Sequence, residues 1–321
     1  MKKLLTTTAI ITALTLTAAA NVEAATKKRV TFESNNQTLV GDLYLPDDFK
    51  EGDKLPGVIV SGSWTSVKEQ MAGGYAAKLA DKGYAALAFD FRGWGESAKG
   101  TPTSLKFVEH PGEKTKDILA ATDFMASRPE VDSRKLATLG ICASTGYAID
   151  AAHLSDTITT TATVAPWLHD KPIVDEVYGE NVPALLQATA DAKAGEPIIL
   201  EAAGDANSDA VMQGAVYYTD PNRGAIPEYD DKFSTLSWGP WLNYDAIQTA
   251  SQINDPMLLV HSEAAAIPQG AKKFATQGGE NVELIMMDNV TQFDFYDQPE
   301  AMDAAVKKVD AHFQTSFQSS H

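Results

Sequence analysis

The sequence Gly-Ile-Cys-Ala-Ser at positions 140–144 has residue types and a spacing that suit a covalent catalyst. A nucleophile on a sharp strand-to-helix turn needs small residues two positions before and after it, because only these let the backbone turn so tightly. Gly140 and Ser144 meet this need if Cys142 is the nucleophile. Its thiol would lie at a helix N-terminus, where the helix dipole favours the thiolate. The backbone N–H of Ala143 would then stabilise the oxyanion of an acyl-transfer reaction.

Two other interpretations of this turn remain open. Ser144 could be the nucleophile, with Cys142 and Gly146 as its small neighbours. Cys142 could instead be an inert core residue, because free cysteine is commonly buried as a small apolar side chain. We favour Cys142, since a thiol that the helix dipole ionises depends less on a general base than a serine hydroxyl does.

The turn requires a buried strand before it and a helix after it, and both fit a regular alternation along the chain. Apolar, β-branched runs predict strands, and amphipathic stretches between them predict helices. Repeated strand–helix–strand units predict an α/β fold with parallel strands and helices on both faces of the sheet. The predicted elements are an antiparallel pair at 29–34 and 38–45, strands at 57–60, 85–89, 136–139, 159–164, 257–260 and 282–287, and helices at 69–81, 114–126, 145–154 and 299–313.

A long gap separates the sixth predicted strand from the seventh. It holds about 90 residues with weak helical patterns and many Gly and Pro residues, which is too long for a loop. We interpret residues 166–250 as a cap inserted between two strands of one sheet. A second independent domain is the alternative, but the strand series resumes after the gap.

Composition excludes several classes of function. The 321 residues include 26 Lys and Arg against 43 Asp and Glu, which gives a net charge of −17. Such a surface repels phosphate backbones and anionic lipids, so we expect no nucleic-acid partner and no membrane-surface binding. Cys142 is the only cysteine, which excludes an intrachain disulfide. The sequence has no metal-ligand spacing and no phosphate-binding glycine loop, and we expect no metal and no cofactor.

The N-terminal residues predict export. Residues 1–24 combine two lysines, an apolar run rich in threonine and small residues at positions 22 and 24, a pattern typical of a cleaved signal peptide. We therefore expect a periplasmic or secreted bacterial protein. A membrane anchor is the less favoured alternative, because the run is short and lacks a basic stop-transfer flank.

Three motifs resemble those of a known superfamily. Ser-Val-Lys-Glu-Gln at 66–70 and Leu-Ala-Phe-Asp-Phe-Arg-Gly-Trp-Gly-Glu-Ser at 87–97 accompany the turn at 140–144. Together they resemble the α/β-hydrolase superfamily, in its dienelactone hydrolase-like and X-Pro dipeptidyl-peptidase (S15)-like bacterial members. The similarity spans residues 29–317, within a hydrolase domain at 25–321. It implies a mostly parallel eight-stranded sheet with helices on both faces and a cap between strands 6 and 7.

The resemblance also implies positions for other catalytic groups. The loop after the third strand would supply the second oxyanion donor, a backbone N–H of Ser63 or Trp64, although an ordinary glycine turn is the alternative. The acid would follow the seventh strand, where Glu263 is the best candidate.

The position that the resemblance assigns to the catalytic histidine holds Gln292, directly before the Phe-Asp-Phe-Tyr-Asp run at 293–297. Glutamine has no titratable proton near neutral pH and cannot act as the base. His169 or His261 could substitute, because each follows a strand on the same edge of the sheet as the nucleophile.

All five tryptophans lie outside the predicted strands. Trp64, Trp94 and Trp167 follow strand ends, at the edge where open α/β sheets bind ligands, while Trp238 and Trp241 lie late in the cap. We expect an aromatic substrate pocket under the cap, suited to an apolar or aromatic acyl group. Packing of the cap on the core without ligand contact is the alternative.

These inferences predict an exported hydrolase that cleaves an ester, lactone, thioester or peptide-like acyl bond of a small molecule without a cofactor. Gln292 leaves a second interpretation open: a catalytically degenerate hydrolase that binds a small molecule or serves as a scaffold.

Overall fold

An eight-stranded sheet forms the centre of the computed structural model, which describes residues 25–319. The predicted signal peptide, residues 1–24, lies outside the described residues. The strands are β1 (Thr26–Ser34), β2 (Gln37–Leu45), β3 (Leu55–Ser61), β4 (Ala85–Phe89), β5 (Val131–Ile141), β6 (Thr160–Val164), β7 (Met257–Ser262) and β8 (Val282–Met287).

The strand order across the sheet is β1-β2-β4-β3-β5-β6-β7-β8. β2 runs antiparallel to β1 and β4, and all other neighbouring pairs are parallel. Asn35 and Asn36 have φ values of 48° and 62°, which makes the β1–β2 connection a tight turn of the type that favours asparagine. The order places β5, whose carboxyl end carries Cys142, near the middle of the sheet.

Helices cover both faces of the sheet. α1 packs against α10, α2 packs against α3, and all of these helices contact the strands. The helices are α1 (Met71–Ala80), α2 (Pro111–Ala126), α3 (Ser144–His153), α4 (Lys171–Tyr178), α5 (Val182–Ala194), α6 (Val216–Thr219), α7 (Trp238–Leu242), α8 (Pro268–Gly278), α9 (Asp294–Asp297) and α10 (Pro299–Ser319). β4 and β6 are buried along their whole length, as expected for parallel strands with helices on both sides.

Residues 165–256 form an insertion between β6 and β7. It contains α4 to α7 and two small two-stranded sheets, one pairing Ile199–Glu201 with Lys232–Ser234 and the other pairing Ala203–Gly204 with Met212–Gln213. Its aromatic side chains belong to the same hydrophobic core cluster as the main sheet. Among residues 25–319, no helix combines the length and the hydropathy that a membrane crossing requires.

Candidate active site

Cys142 lies on a strained turn between β5 and α3. Its φ is +58°, a conformation that side-chain-bearing residues rarely adopt. The turn is held by backbone hydrogen bonds: the N–H of Cys142 donates to the carbonyl of Val164 (3.1 Å), and its carbonyl accepts from the N–H of Trp167 (3.0 Å). A Cβ at Gly140 would lie 2.8 Å from the Cα of Thr145, so α3 can approach the end of β5 only because Gly140 has no side chain.

Ser144 fastens this turn and does not line the cavity that borders Cys142. Its hydroxyl lies 2.8 Å from the carbonyl oxygen of Ser61, to which it donates, and accepts from the N–H of Ile141 (3.1 Å). The side chain is fully buried. Ser144 as an alternative nucleophile is therefore corrected: the hydroxyl ties the start of α3 to the ends of β3 and β5.

The Cys142 thiol faces a cavity of about 680 Å³. The sulfur interacts with the backbone N–H groups of Ala143 and Trp64 and with the side chains of Tyr296 and Gln292. Despite these contacts, burial raises the pKa of the Cys142 thiol above its usual value. This direction does not favour the expectation that the helix dipole ionises the thiol, because loss of hydration outweighs the hydrogen bonds from the nearby donors.

In the loop after β3, the backbone N–H that interacts with the Cys142 sulfur is that of Trp64. Trp64 lines the cavity, whereas the Ser63 hydroxyl is buried against the hydroxyl of Tyr218. Thr65 follows with a φ of +61°, and its N–H donates to the buried Glu109 carboxylate across 3.4 Å. The N–H groups of Ala143 and Trp64 thus reach the sulfur from two separate segments, and two backbone donors beside a nucleophile can stabilise an oxyanion.

Gln292 is fixed beside the thiol by three hydrogen bonds. Its side-chain NH₂ donates to the carbonyl of Ala165 (2.9 Å) and to the hydroxyl of Tyr296 (3.0 Å). Its side-chain oxygen accepts from the N–H of Ala266 (3.1 Å). The residue thus lies beside the nucleophile, as the resemblance implied, but with both ends of its amide engaged.

The structure does not bring Glu263 into this site. Its side chain is 66% exposed and forms an ion pair with Lys272 at 2.5 Å. The loop after β7 contacts Gln292 through the backbone of Ala266 instead. Glu263 as the catalytic acid is therefore corrected, because its carboxylate faces solvent.

Neither candidate histidine is placed to act as the base. The Nδ1 of His169 accepts from the indole N–H of Trp167 (3.0 Å), and its Nε2 is 3.1 Å from the carbonyl of Trp241. The Nε2 of His261 is 3.0 Å from the carbonyl of Ala266. Burial lowers the pKa of both imidazoles to about 4, and neither ring lines the cavity. Within residues 25–319, no imidazole forms a hydrogen bond with the thiol.

Aromatic rings surround the cavity, and none of the described residues that line it carries a charge. Most of its wall comes from the insertion and from α9. The aromatic residues are Trp64, Trp167, Tyr178, Tyr218, Trp238, Trp241, Phe293 and Tyr296. Trp94, which the sequence assigned to the pocket, is instead buried in the core, with its ring 5.1 Å from the Nζ of Lys114.

The sequence model of the dienelactone hydrolase family matches residues 41–210, more than half of the chain. The chain belongs to the dienelactone hydrolase family. It is 28% identical over 291 residues to the uncharacterized protein PA2218 of Pseudomonas aeruginosa, covering 84% of this chain and 76% of that protein. It is also 28% identical over 286 residues to the uncharacterized protein YcjY of Escherichia coli, covering 82% and 90% of the two chains.

Solved structures confirm the α/β-hydrolase fold that the sequence predicted. The crystal structure of PA2218 superposes with a TM-score of 0.78 at 25% identity, over 90% of this chain and 94% of that one. The α/β hydrolase GrgF from Penicillium sp. sh18 gives a TM-score of 0.73 at 17% identity, over 90% and 99%. Est1E from Butyrivibrio proteoclasticus gives a TM-score of 0.61 at 16% sequence identity, over 89% of this chain and 99% of that one. Membership of the dienelactone hydrolase family supports a hydrolase.

One residue of this dienelactone hydrolase-family site escaped the sequence analysis. Tyr296 lines the cavity beside Cys142 and Gln292 and is only 3% exposed. It lies one helical turn after Gln292, and that spacing is the signal that could have placed both side chains on one face. Among residues 25–319, no group of three or more His, Cys, Asp or Glu side chains is arranged to hold a metal ion.

Proposed function

We propose that this protein hydrolyses an ester, lactone, thioester or peptide-like bond of a small molecule through the Cys142 thiol. One observation carries the proposal: Cys142 lies on a strained turn at the edge of the aromatic cavity, and its sulfur interacts with the backbone N–H groups of Ala143 and Trp64. Two backbone donors next to a nucleophile support acyl transfer because they can stabilise the negative oxygen of a tetrahedral intermediate. The uncharged lining favours a neutral, apolar or aromatic acyl group.

The proposed reaction has two steps. In the first, the sulfur of Cys142 adds to the carbonyl carbon, and the carbonyl oxygen accepts hydrogen bonds from the N–H groups of Ala143 and Trp64. The bond to the leaving group then breaks, and the leaving group departs with the thiol proton. The product is a thioester between Cys142 and the acyl group. In the second step, water adds to the thioester, the carbon–sulfur bond breaks, and the carboxylic acid leaves while the thiol is restored.

A second candidate function is small-molecule binding without turnover. It is favoured by the Gln292 side chain, which cannot accept a proton and whose amide is fully engaged by neighbouring groups. The raised pKa of the Cys142 thiol favours it as well, because a protonated thiol is a weak nucleophile.

Turnover of short p-nitrophenyl esters by the wild type, Cys142→Ala and Ser144→Ala separates the two functions. We expect the wild type to release p-nitrophenol and Cys142→Ala to lose that activity. Ser144→Ala is the matched control: it removes a hydroxyl two residues away, so we expect turnover to persist while stability falls by about 1–2 kcal/mol. Equal rates in the wild type and Cys142→Ala would contradict the hydrolase proposal and favour binding.

We also propose that the protein is exported and that the chain is cleaved after Ala24. The basic, apolar and small-residue pattern of residues 1–24 supports this proposal. Mass spectrometry of protein from the periplasm of an expressing bacterium should find Ala25 at the N-terminus. A cytoplasmic chain that retains residues 1–24 would contradict it.

A further inference from the structure

The Tyr296 hydroxyl lies beside the Cys142 thiol, next to the Gln292 side chain that takes the position of the missing general base. Tyr296 is in α9, lines the cavity with Cys142 and Gln292, and interacts with the sulfur through its side chain. Its oxygen accepts a hydrogen bond from the Gln292 side-chain NH₂ at 3.0 Å. The phenol thus places an exchangeable proton beside the proposed nucleophile, within a hydrogen-bonded chain that includes Gln292.

The surroundings of Tyr296 hold its hydroxyl in one position. The preceding carbonyl, that of Phe295, accepts a hydrogen bond from the buried Tyr75 hydroxyl at 2.8 Å, which anchors α9 to α1. The Tyr296 ring packs edge-on against Tyr217, with ring centroids 5.2 Å apart. Because Tyr296 is nearly fully buried, the phenol cannot turn towards bulk solvent.

The hydrogen bond from Gln292 limits the roles that the Tyr296 hydroxyl can take. The Gln292 NH₂ can only donate, so it occupies a lone pair of the Tyr296 oxygen and leaves the phenol hydrogen free for another acceptor. The second lone pair of the Tyr296 oxygen stays free to take a proton from the neighbouring Cys142 thiol, with which the side chain interacts. Gln292 therefore orients Tyr296, although it cannot itself carry a proton.

We propose that Tyr296 is the proton-transfer residue of this site. When the thiol attacks, its proton passes to the Tyr296 oxygen while the phenol proton passes to the oxygen or nitrogen of the leaving group. When water attacks the thioester, the phenol proton goes to the departing sulfur and a water proton replaces it on the phenol. Each step leaves Tyr296 as it began, and the net reaction consumes one water.

The electrostatics of the site fit a transfer in which the phenol is never left ionised. Burial raises the pKa of Tyr296 well above its usual value, so the residue keeps its proton at working pH. A neutral phenol can accept and donate in the same step, as a water molecule does.

The test rests on the proposed hydrolase function and compares Tyr296→Phe with Tyr217→Phe. Tyr217 is a buried tyrosine next to Tyr296 that does not line the cavity, so its variant controls for the loss of a buried hydroxyl. p-Nitrophenolate leaves without a proton, and in Tyr296→Phe the thiol proton can still pass to water, so we expect formation of the thioester to slow much less than its breakdown. Breakdown of the thioester should slow by about 100-fold or more, the usual effect of losing a general acid–base group.

Intact-mass measurements during turnover then report the two steps separately. We expect Tyr296→Phe to accumulate one acyl group per chain, after a burst of p-nitrophenol, while Tyr217→Phe behaves like the wild type. Steady turnover by Tyr296→Phe at the wild-type rate would overturn the role of Tyr296 alone. A wild type that forms neither product nor adduct would overturn the hydrolase proposal as well.

A second variant guards against a purely structural effect of losing the hydroxyl. Site-specific replacement of Tyr296 by 3-fluorotyrosine keeps the hydroxyl and the ring shape but lowers the pKa of the phenol. We expect the rate of thioester breakdown to change with that pKa. An unchanged rate in the fluorinated protein, together with a slow Tyr296→Phe, would mean that the hydroxyl only supports the fold.

Discussion

At the scale of single residues, opposing effects act on the ionisation of the Cys142 thiol. The N–H groups of Ala143 and Trp64 and the Tyr296 hydroxyl favour its thiolate. Burial disfavours the thiolate more strongly, since a charge loses its hydration in the cavity wall. The cysteine therefore rests as a neutral thiol, unlike a cysteine that a nearby imidazolium keeps ionised at neutral pH.

The neutral state of the Cys142 thiol predicts how the rate of its alkylation depends on pH. Iodoacetamide reacts with the thiolate, whose fraction rises about tenfold per pH unit below the pKa of the thiol. Because that pKa lies above its usual value, we expect the rate of alkylation to rise steadily from pH 6 to pH 9. Cys142→Ala gives the background rate. A plateau reached at or below pH 7 would show an ionised thiol and contradict this assignment.

At the scale of elements, α3 connects the nucleophile to the insertion. The hydroxyl of Tyr244, which follows α7, donates to the Asp150 carboxylate on α3 across 2.7 Å. A Cβ at Gly146 would lie 2.6 Å from the same hydroxyl, so the insertion packs directly on the helix that begins at the catalytic turn. The insertion, which forms most of the cavity wall, is therefore fixed directly to the helix that follows the nucleophile.

Asp150→Asn tests this contact through the pH dependence of stability. Burial raises the pKa of Asp150 to about 6 in the folded state, against 3.8 for the ordinary carboxyl group. At pH 8 the carboxylate is ionised in both states and its burial opposes folding, so we expect the neutral variant to be more stable by up to about 3 kcal/mol. As the pH falls through 6 towards 4, the folded wild type takes up a proton and the difference should vanish.

Denaturant unfolding of the wild type, Asp150→Asn and Tyr244→Phe at pH 8 and pH 4.5 measures these differences. Tyr244→Phe removes the donor and leaves the carboxylate unpaired, so we expect it to be less stable than the wild type at pH 8 by about 1–3 kcal/mol. A difference between Asp150→Asn and the wild type that does not change with pH would contradict the account.

At the scale of the whole molecule, the sheet could be predicted because its central strands are apolar on both faces. Both boundaries of β4 were predicted correctly, and every one of its residues is buried. The first half of β5 was missed because residues 132–135 are partly or fully exposed and show no apolar run. The helices of the insertion were only weakly visible, since α4 is only 8 residues long and α5 buries only Val182, Thr189 and Ala192.

The site was predictable where the local chain decides the geometry. The small residues around Cys142 predicted its turn, and the backbone of Trp64 follows directly from the end of β3. Glu263 and Trp94 were misassigned because a position after a strand does not determine which way the side chain points. Tyr296 was missed because its four-residue spacing from Gln292 places the two side chains on one face but does not show that α9 packs against α1, the tertiary contact that holds the hydroxyl near the thiol.

The acyl-enzyme itself is the most direct test of the central claim that Cys142 attacks the substrate. Wild-type protein mixed with a p-nitrophenyl ester, quenched in acid within one turnover and digested, should carry one acyl group on the peptide that contains Cys142. The same experiment on Cys142→Ala should give no acylated peptide. An acyl group found on any other residue, or turnover without an adduct in a quench series that resolves the burst, would contradict the account.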